Sequence, residues 1–391
     1  TLVYDDEGYA QIETIYDGQP GATVRTTIDI DYQNHLEKAM IEFLKSKESD
    51  TNHRYFNKFY LVASDPTTGD VLASVAIKKD KEGNYYNSSN STYLDSYPVG
   101  SAIKGAVVYM GLDQKLFSPG ETIYDAPLKI QGTPPKASYV DLGTVDDLTA
   151  LSLSSNVYMF NVVIRLGKGN YAYNQPLYLQ EGTVDTMRNY YSQFGLGVST
   201  QLDVPNEGTG YKSTSGLAGN LLDFAIGQYD TYTPIQLNQY VSTIANGKYR
   251  YALRFVSDAY NPLTNEVVYE NQVRILNSLD NEQAIQRVQQ GFRLCVTDGY
   301  CSSLGDAAWP TAAKTGTSQD IARDPFTDAV LRNEANVAIE VSSNSLVAYA
   351  PYDDPKIAIS CMAPYYVADR IVENGCSAMV EEAINAYAKN H

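Results

Sequence analysis

The chain contains very little histidine. Among its 391 residues it has three, His35, His53 and the terminal His391, and none of them lies between residues 101 and 314. That stretch therefore holds no histidine to act as the base of a serine or cysteine triad, and a distant histidine can join it only if the chain folds back. A nucleophilic site within the stretch must use another base.

Basic residues and long hydrophobic runs are also scarce. Lysine and arginine number 29 against 46 aspartate and glutamate residues, which gives a net charge of −17, and no basic patch is present. We therefore do not expect a nucleic acid as a partner, and the acidic balance argues against binding to anionic lipid. No run of 18 apolar residues occurs, so no segment of this sequence is predicted to span a membrane.

The four cysteines are Cys295, Cys301, Cys361 and Cys376. Their spacing matches no metal site, and we expect neither a metal nor another cofactor. Cys295 and Cys301 are close enough in sequence to form a disulfide, but free buried thiols fit the pattern equally well. With 43% hydrophobic residues, the chain is long enough for one large or two ordinary globular domains.

The first of three short polar motifs is Ser101-Ala-Ile-Lys104. A serine hydroxyl is a weak nucleophile that needs an adjacent base, and a lysine can be that base once burial lowers its pKa. On a helix, a spacing of three residues places both side chains on one face, and the apolar residues 106–110 predict a buried helix here. The alternative is that Ser101 only caps the helix and Lys104 is a surface lysine.

The second motif, Ser154-Ser155-Asn156, interrupts an apolar stretch that is predicted to be helical. Polar side chains in such a setting must be paired or functional. Two further Ser-x-Asn sequences begin at Ser88 and Ser342, but only the copy at Ser154 lies between the other two motifs. The alternative is a loop between two helices, held by serine and asparagine bonds to the backbone.

The third motif, Lys314-Thr315-Gly316-Thr317, occurs once, in a stretch that is predicted to be an edge strand. A glycine inside a strand often marks a place where a ligand or another backbone comes close. Two threonine hydroxyls and a lysine beside that glycine suit a substrate carboxylate. The alternative is an ordinary strand without a ligand.

Hydrophobic periodicity predicts an α/β protein with a sheet assembled from both ends of the chain. Helices are predicted to dominate from residue 101 to about residue 247. The other predicted elements are a helix over Asp31–Ser46, strands over Phe59–Ser64, Val71–Ile77, Ala308–Ser318, Val337–Pro351 and Lys356–Ala363, and a closing helix over Cys376–Lys389.

Taken in order, the three motifs resemble the signature motifs of the penicillin-recognising serine enzymes. Longer segments are similar to those of class B penicillin-binding proteins, and the resemblance covers roughly residues 26–390. The sequence departs from the family pattern at Tyr229 and Lys248, where glycine is usual. The similar segments are Phe194-Gly-Leu-Gly197, Asp203-Val-Pro-Asn-Glu207, Ala225-Ile-Gly-Gln-Tyr229, Thr233-Pro-Ile-Gln236 and Leu346-Val-Ala-Tyr-Ala-Pro351.

The resemblance implies the transpeptidase fold of this family. That fold is an α/β plus α arrangement, with a five-stranded, mainly antiparallel sheet flanked by helices and an all-helical insert at about residues 101–250. It also implies that residues 1–25 are a remnant of an N-terminal pedestal or linker and that residues 26–391 are the transpeptidase domain. By the same resemblance, the protein is expected at the bacterial cell membrane, with this domain on the extracytoplasmic side and a single-pass anchor outside the present sequence.

The resemblance further assigns roles to the motif residues. Ser101 is the expected nucleophile, Lys104 its base, and Ser154 a proton relay that Lys314 steadies. Asn156 is expected to anchor a peptide amide of the substrate and to help hold Lys104. The residues expected to bind the terminal carboxylate of the substrate are Thr315, Gly316 and Thr317.

The implied function is that of a D,D-transpeptidase that crosslinks peptidoglycan stem peptides through a serine acyl-enzyme. β-Lactam antibiotics are the expected covalent inhibitors, and membrane glycosyltransferase or morphogenesis proteins are expected partners through an N-terminal part of the protein. One alternative is a D,D-carboxypeptidase or β-lactamase, which needs a deacylation base that no glutamate in the sequence announces. Another is a β-lactam-sensing receptor domain, which usually lacks the segment from Gly227 to Pro234.

Overall fold

The computed structural model describes residues 2–12, 21–368 and 374–390. Residues 1 and 13–20 of the predicted N-terminal remnant lie outside the described residues, and so does His391. The chain forms two compact units, one of Thr1–Thr27 with Val256–Gln272 and one of Ile28–Phe255 with Val273–His391. The second unit contains all three sequence motifs.

The elements begin and end as follows. The helices are α1 (Ile30–Lys47), α2 (Ser91–Leu94), α3 (Lys104–Asp113), α4 (Asp147–Ser152), α5 (Asn156–Leu166), α6 (Thr183–Gln193), α7 (Ala218–Phe224), α8 (Pro234–Asn246), α9 (Glu282–Asp298) and α10 (Ser377–Ala388). The strands are β1 (Leu2–Tyr4), β2 (Ala10–Ile12), β3 (Thr23–Thr26), β4 (Lys58–Ser64), β5 (Val71–Lys79), β6 (Tyr85–Asn87), β7 (Ile123–Tyr124), β8 (Thr144–Val145), β9 (Tyr249–Tyr251), β10 (Val256–Tyr260), β11 (Val267–Glu270), β12 (Ile275–Ser278), β13 (Ala312–Ile321), β14 (Glu340–Ala350) and β15 (Ile357–Val367). Within the described ranges, no helix combines the length and apolar character that crossing a bilayer requires.

The first unit is small and built from strands. It contains the hairpin of β1 and β2 and a three-stranded sheet in the order β11, β10, β3. All neighbours in both sheets are antiparallel.

The second unit is organised around a six-stranded antiparallel sheet in the order β13, β14, β15, β4, β5, β6. Its strands come from both ends of the chain, as predicted. All eleven residues of β15 are buried, because helices cover both faces of the sheet. A strand covered on both faces reads as a continuous apolar run. The predicted fold class is therefore confirmed.

Two details of that prediction need correction. The sheet has six strands where five were predicted, because β6 is a three-residue edge strand in a polar segment that carries no alternating pattern. The insert after residue 101 is mainly helical but also contains the two-stranded sheet of β7 and β8. Strands of two residues are too short to leave a periodic signal in a sequence.

Capping residues in the sequence explain where the helices that cover the sheet begin. The Asp29 side chain accepts the N–H groups of Asp31 and Tyr32 and so starts α1, whose buried residues face β5 and α10. On the other face, α8 begins with a capping box between Thr233 and Gln236. These caps fix where the covering helices begin.

The four cysteines form two disulfides, Cys295–Cys301 and Cys361–Cys376. For Cys295 and Cys301 the sequence left open a disulfide or free thiols, and the structure shows the disulfide. It joins the last turn of α9 to the turn that follows. The second joins β15 to the residue before α10, and the sequence gave no indication of this pairing. Both bonds lie within the second unit.

Candidate active site

The first motif begins in a tight turn of helix that continues into α3. Gly100–Ile103 form a 3₁₀ helix, and Lys104 is the first residue of α3. Every residue from Lys104 to Leu112 is buried, as the all-round apolar pattern predicted. Ser101 is half-buried.

The third motif lies on β13, at the edge of the sheet, as predicted. Gly316 packs against the backbone before α3, where a Cβ atom would overlap Val99 O and Ser345 Oγ. Gly100 makes an equally close approach to Thr317 O, with φ at +55°. The two glycines let the strand and the 3₁₀ helix lie backbone against backbone, and this is the close approach that the strand glycine indicated.

The second motif lies between α4 and α5 and binds the lysine of the first. Lys104 Nζ donates to the Ser154 carbonyl at 2.7 Å, to Ser154 Oγ at 3.1 Å and to Asn156 Oδ1 at 2.7 Å. The other two Ser-x-Asn copies lie elsewhere, one just before α2 and one on β14. The structure therefore brings the middle copy to Lys104.

The lysine of the third motif reaches the same serine. Lys314 Nζ donates to Ser154 Oγ at 3.0 Å and to the Thr315 carbonyl at 2.9 Å. The Ser154 hydroxyl therefore lies between the amines of Lys104 and Lys314. Thr315 and Thr317 follow Lys314 on β13 and are half-buried, and Thr317 Oγ1 accepts a long bond from Asn344 at 3.4 Å.

Both lysines are shifted towards the uncharged amine. They are 0% exposed. Burial lowers the pKa of Lys314 to about 7. Burial lowers the pKa of Lys104 well below its ordinary value as well; the charge of Lys314 lowers it further, and the charge of Asp125 raises it. A free amine at neutral pH can accept a proton, which an ordinary surface lysine cannot do.

One predicted contact is not formed. Among the described residues, no hydrogen bond joins the hydroxyl of Ser101 to Lys104 Nζ, whose three bonds all go to the second motif. The two residues are instead joined by a main-chain hydrogen bond, in which the Lys104 N–H donates to the Ser101 carbonyl. Catalytic hydrogen bonds are often long before substrate binds.

The described histidines take no part in this arrangement. His35 pairs with Glu382 at 2.6 Å, and His53 Nδ1 lies 2.5 Å from the Tyr366 carbonyl. Neither contacts a motif residue. Within the described residues, no group of histidine, cysteine, aspartate and glutamate side chains is arranged to hold a metal ion.

Several residues around the motifs were not predicted. Three hydroxyls hold the backbone on either side of Ser101, and they come from Ser318, Ser345 and Tyr240. A buried carboxylate, Asp125, lies next to the second motif. Single serine, tyrosine and aspartate residues carry no spacing signal, so the sequence gives no means of selecting them.

The sequence was compared with known protein families and structures. The family described as the penicillin-binding protein transpeptidase domain matches residues 59–365. Penicillin-binding protein 2A of Bacillus subtilis is 41% identical over 367 residues, which cover 91% of this chain and 50% of the relative. Penicillin-binding protein H of the same organism is 33% identical over 385 residues, covering 96% and 53%.

A solved structure agrees. Penicillin-binding protein 2B from Streptococcus pneumoniae strain R6 superposes with a TM-score of 0.87 at 27% identity, covering 100% of this chain and 64% of that one. The chain thus spans about half the length of the curated relatives it matches. With the family match over residues 59–365, these similarities establish that the chain belongs to the penicillin-binding protein transpeptidase domain family.

Proposed function

We propose that the chain is the catalytic domain of a D,D-transpeptidase, which crosslinks peptidoglycan stem peptides through a serine acyl-enzyme. The observation that carries the proposal is the Ser154 hydroxyl, 3.1 Å from Lys104 Nζ and 3.0 Å from Lys314 Nζ. Two buried amines on one hydroxyl offer a proton path from the nucleophile to a leaving nitrogen without a histidine. The family description, which names transpeptidation, and the names of the relatives, which refer to penicillin binding, support the same reaction.

Acylation begins when Ser101 Oγ attacks the carbonyl carbon of the penultimate D-alanine. Lys104, as the free amine, takes the hydroxyl proton. The backbone N–H groups of Ser101 and Thr317 stabilise the oxyanion, each by about 3 kcal/mol. The proton then passes through Ser154, which Lys314 steadies, to the nitrogen of the terminal D-alanine. The C–N bond breaks, D-alanine leaves, and an ester remains on Ser101.

The substrate is held at the edge of the sheet. We assign its terminal carboxylate to Thr315, Gly316 and Thr317, where both threonines are half-buried and the amine of Lys314 donates to the Thr315 carbonyl. Asn156 anchors the peptide amide while its Oδ1 holds Lys104. This division places the carboxylate on β13 and the peptide on the side of α5.

The acyl-enzyme is resolved by an amine. The amine of a neighbouring stem peptide attacks the ester, an amide crosslink forms, and the released proton returns to the Ser101 oxygen through Lys104. A β-lactam follows the first half of the same path. Its ring amide opens on Ser101, no leaving group departs, and the enzyme stays blocked.

Peptide exchange distinguishes this function from its alternatives. We would incubate the protein with a stem pentapeptide ending in D-alanyl-D-alanine and a free D-amino acid as acceptor, and follow the products by mass spectrometry. A transpeptidase releases D-alanine and forms the acceptor-bearing peptide, and Ser101→Ala forms none. Tetrapeptide alone, at a rate independent of acceptor, would indicate a D,D-carboxypeptidase. Penicillin acylation without peptide turnover would indicate a receptor.

The setting of the domain follows from the same proposal. We place it on the extracytoplasmic side of the bacterial membrane. The two disulfides support this placement, because disulfides persist in oxidising compartments. Membrane glycosyltransferase or morphogenesis proteins are its proposed partners.

A further inference from the structure

A buried carboxylate outside the three motifs lies beside the lysine-binding end of α5. Asp125 directly follows β7 and is 3% exposed. Its Oδ2 accepts hydrogen bonds from the Ser138 hydroxyl at 2.8 Å and from the Ser155 hydroxyl. Among the described residues, no basic side chain forms an ion pair with it. A carboxylate buried in this way is costly unless hydrogen bonds satisfy it, so its position requires an explanation.

The two serines connect Asp125 to the first turn of α5. The Ser155 hydroxyl accepts the N–H of Tyr158 at 2.9 Å, and the Ser138 hydroxyl accepts the N–H of Asn156 at 2.9 Å. Two N–H groups in the first turn of α5 therefore donate to two serine hydroxyls, and both hydroxyls donate to the Asp125 carboxylate. Negative charge is favourable at a helix N-terminus, so this network fixes where α5 begins.

The start of α5 is also where Lys104 is bound. The Lys104 amine donates to Asn156 Oδ1 and to both oxygens of Ser154. A shift of the first turn would therefore move the acceptors that hold the amine. Asp125 reaches none of the reacting atoms itself and acts only through these residues.

Two charged groups influence Lys104 from the elements around it. Lys314 on β13 lowers the pKa of Lys104, and Asp125 raises it, against the larger effect of burial. Arg287 of α9 and Asp147 of α4 bind each other. Asp125 is therefore the carboxylate that favours the protonated form of the Lys104 amine.

We propose that Asp125 is a positioning residue for acylation, which holds the start of α5 so that Ser154 and Asn156 bind Lys104 in one fixed geometry. Its charge has a second effect, because it favours the protonated form of Lys104, in which acylation slows. The inference rests on the proposed acyl transfer at Ser101.

The test is the rate constant of acylation by a fluorescent penicillin, measured from about pH 5 to about pH 9. In Asp125→Asn, the plateau falls by roughly tenfold because the lysine site loosens. The acidic limb of the profile moves to lower pH, because Lys104 has lost the charge that favours its protonated form. In Ser155→Ala the plateau also falls, but the limb stays at the wild-type pH because the carboxylate remains.

Asp141→Asn is the matched control. It removes the same charge from an exposed position in the same segment, where the carboxylate accepts the nearby N–H of Gly143. Both plateau and limb should equal those of the wild type. A limb that stays at the wild-type pH in Asp125→Asn would overturn the proposal, whatever happens to its plateau.

A variant with milder consequences covers the case in which Asp125→Asn does not fold. Ser138 is half-buried, and Ser138→Ala leaves the carboxylate bound to Ser155. We expect its plateau to fall several-fold, by the same loosening of the lysine site. Wild-type plateaus in both Ser138→Ala and Ser155→Ala would overturn the proposal. Failure of the proposed function would look different, because the wild-type protein would then not be acylated at Ser101 at all.

Discussion

At the scale of single residues, the backbone of Ser154 explains how two lysines meet one hydroxyl. Its φ is +57°, in the left-handed region that residues other than glycine seldom adopt. In this conformation both its carbonyl and its hydroxyl accept bonds from Lys104. Such a backbone costs about 1–3 kcal/mol and persists where the surroundings over-determine it. At Ser154, the hydrogen bonds from Lys104 and Lys314 hold the residue in this conformation.

The buried amine of Lys314 makes stability depend on pH. Its pKa is about 7 in the folded protein and about 10.4 in an unfolded chain, so between these values the unfolded state binds more protons. Stability should therefore rise with pH through this window and fall as the pH drops towards 7. We predict that the free energy of unfolding of the wild type gains about 1 kcal/mol per pH unit relative to Lys314→Met, measured by urea denaturation.

The comparison of the two proteins isolates the lysine, because other titrating groups are common to both. Lys104 remains in both and contributes a trend of the same direction to each, although in Lys314→Met its pKa is no longer lowered by the charge of Lys314. Parallel pH dependences of the wild type and Lys314→Met would contradict the shift that burial imposes on Lys314.

At the scale of elements, the site depends on β13 lying directly against the 3₁₀ helix that carries Ser101. Gly316 permits this contact on the strand side. Ser345 Oγ donates to the Val99 carbonyl at 2.6 Å and holds the same junction from β14. The separation of Ser101 and β13 is therefore set by Gly316 and Ser345, and Ser345 has no contact with substrate in the proposed mechanism.

We predict that Gly316→Ala impairs acylation without unfolding the protein. The new methyl group would overlap backbone at Val99 and must push β13 away from the nucleophile. A displacement of about 1 Å in an active site can cost about 100-fold in rate, which the acylation rate with fluorescent penicillin would show. Gly216→Ala, with no atom within 4 Å of the added methyl group, is the control and should keep the wild-type rate. Equal rates for both variants would contradict the close packing.

The elements also show what the sequence could and could not predict. The strands β13, β14 and β15 were located to within a few residues, because buried strands read as apolar runs. The short strands β6, β7 and β8 were missed, since two or three residues carry no period. The motif residues were found because spacing and type coincide, whereas Asp125 was missed because a lone carboxylate becomes recognisable only when folding buries it.

At the scale of the whole molecule, the residues just before α10 are bonded to strands of the six-stranded sheet. Asn374 donates to the Gly316 carbonyl at 3.3 Å and to the Ser345 carbonyl at 3.0 Å. Two residues later, Cys376 is bonded to Cys361 on β15. The segment before α10 is therefore hydrogen-bonded to β13, the strand that carries Lys314, and to its neighbour β14.

We predict that removing the Cys361–Cys376 disulfide destabilises the protein more than removing Cys295–Cys301. The first closes a loop with a sequence separation of 15 and the second one of 6, and a loop of about 15 residues corresponds to about 3 kcal/mol of unfolding free energy. Denaturation of Cys361→Ala/Cys376→Ala and Cys295→Ala/Cys301→Ala double variants measures the difference. The reverse order of stability would contradict this account of the fold.

The most direct test of the central claim is the mass of the intact protein after incubation with penicillin, followed by mapping of the modified peptide. We predict one adduct with the full mass of the antibiotic, since ring opening releases nothing, located on Ser101 and persisting for many minutes. Lys104→Ala, folded by circular dichroism, should carry no adduct. An adduct on a different residue, or normal labelling of the folded Lys104→Ala variant, would contradict the claim that Ser101 and Lys104 act as nucleophile and base.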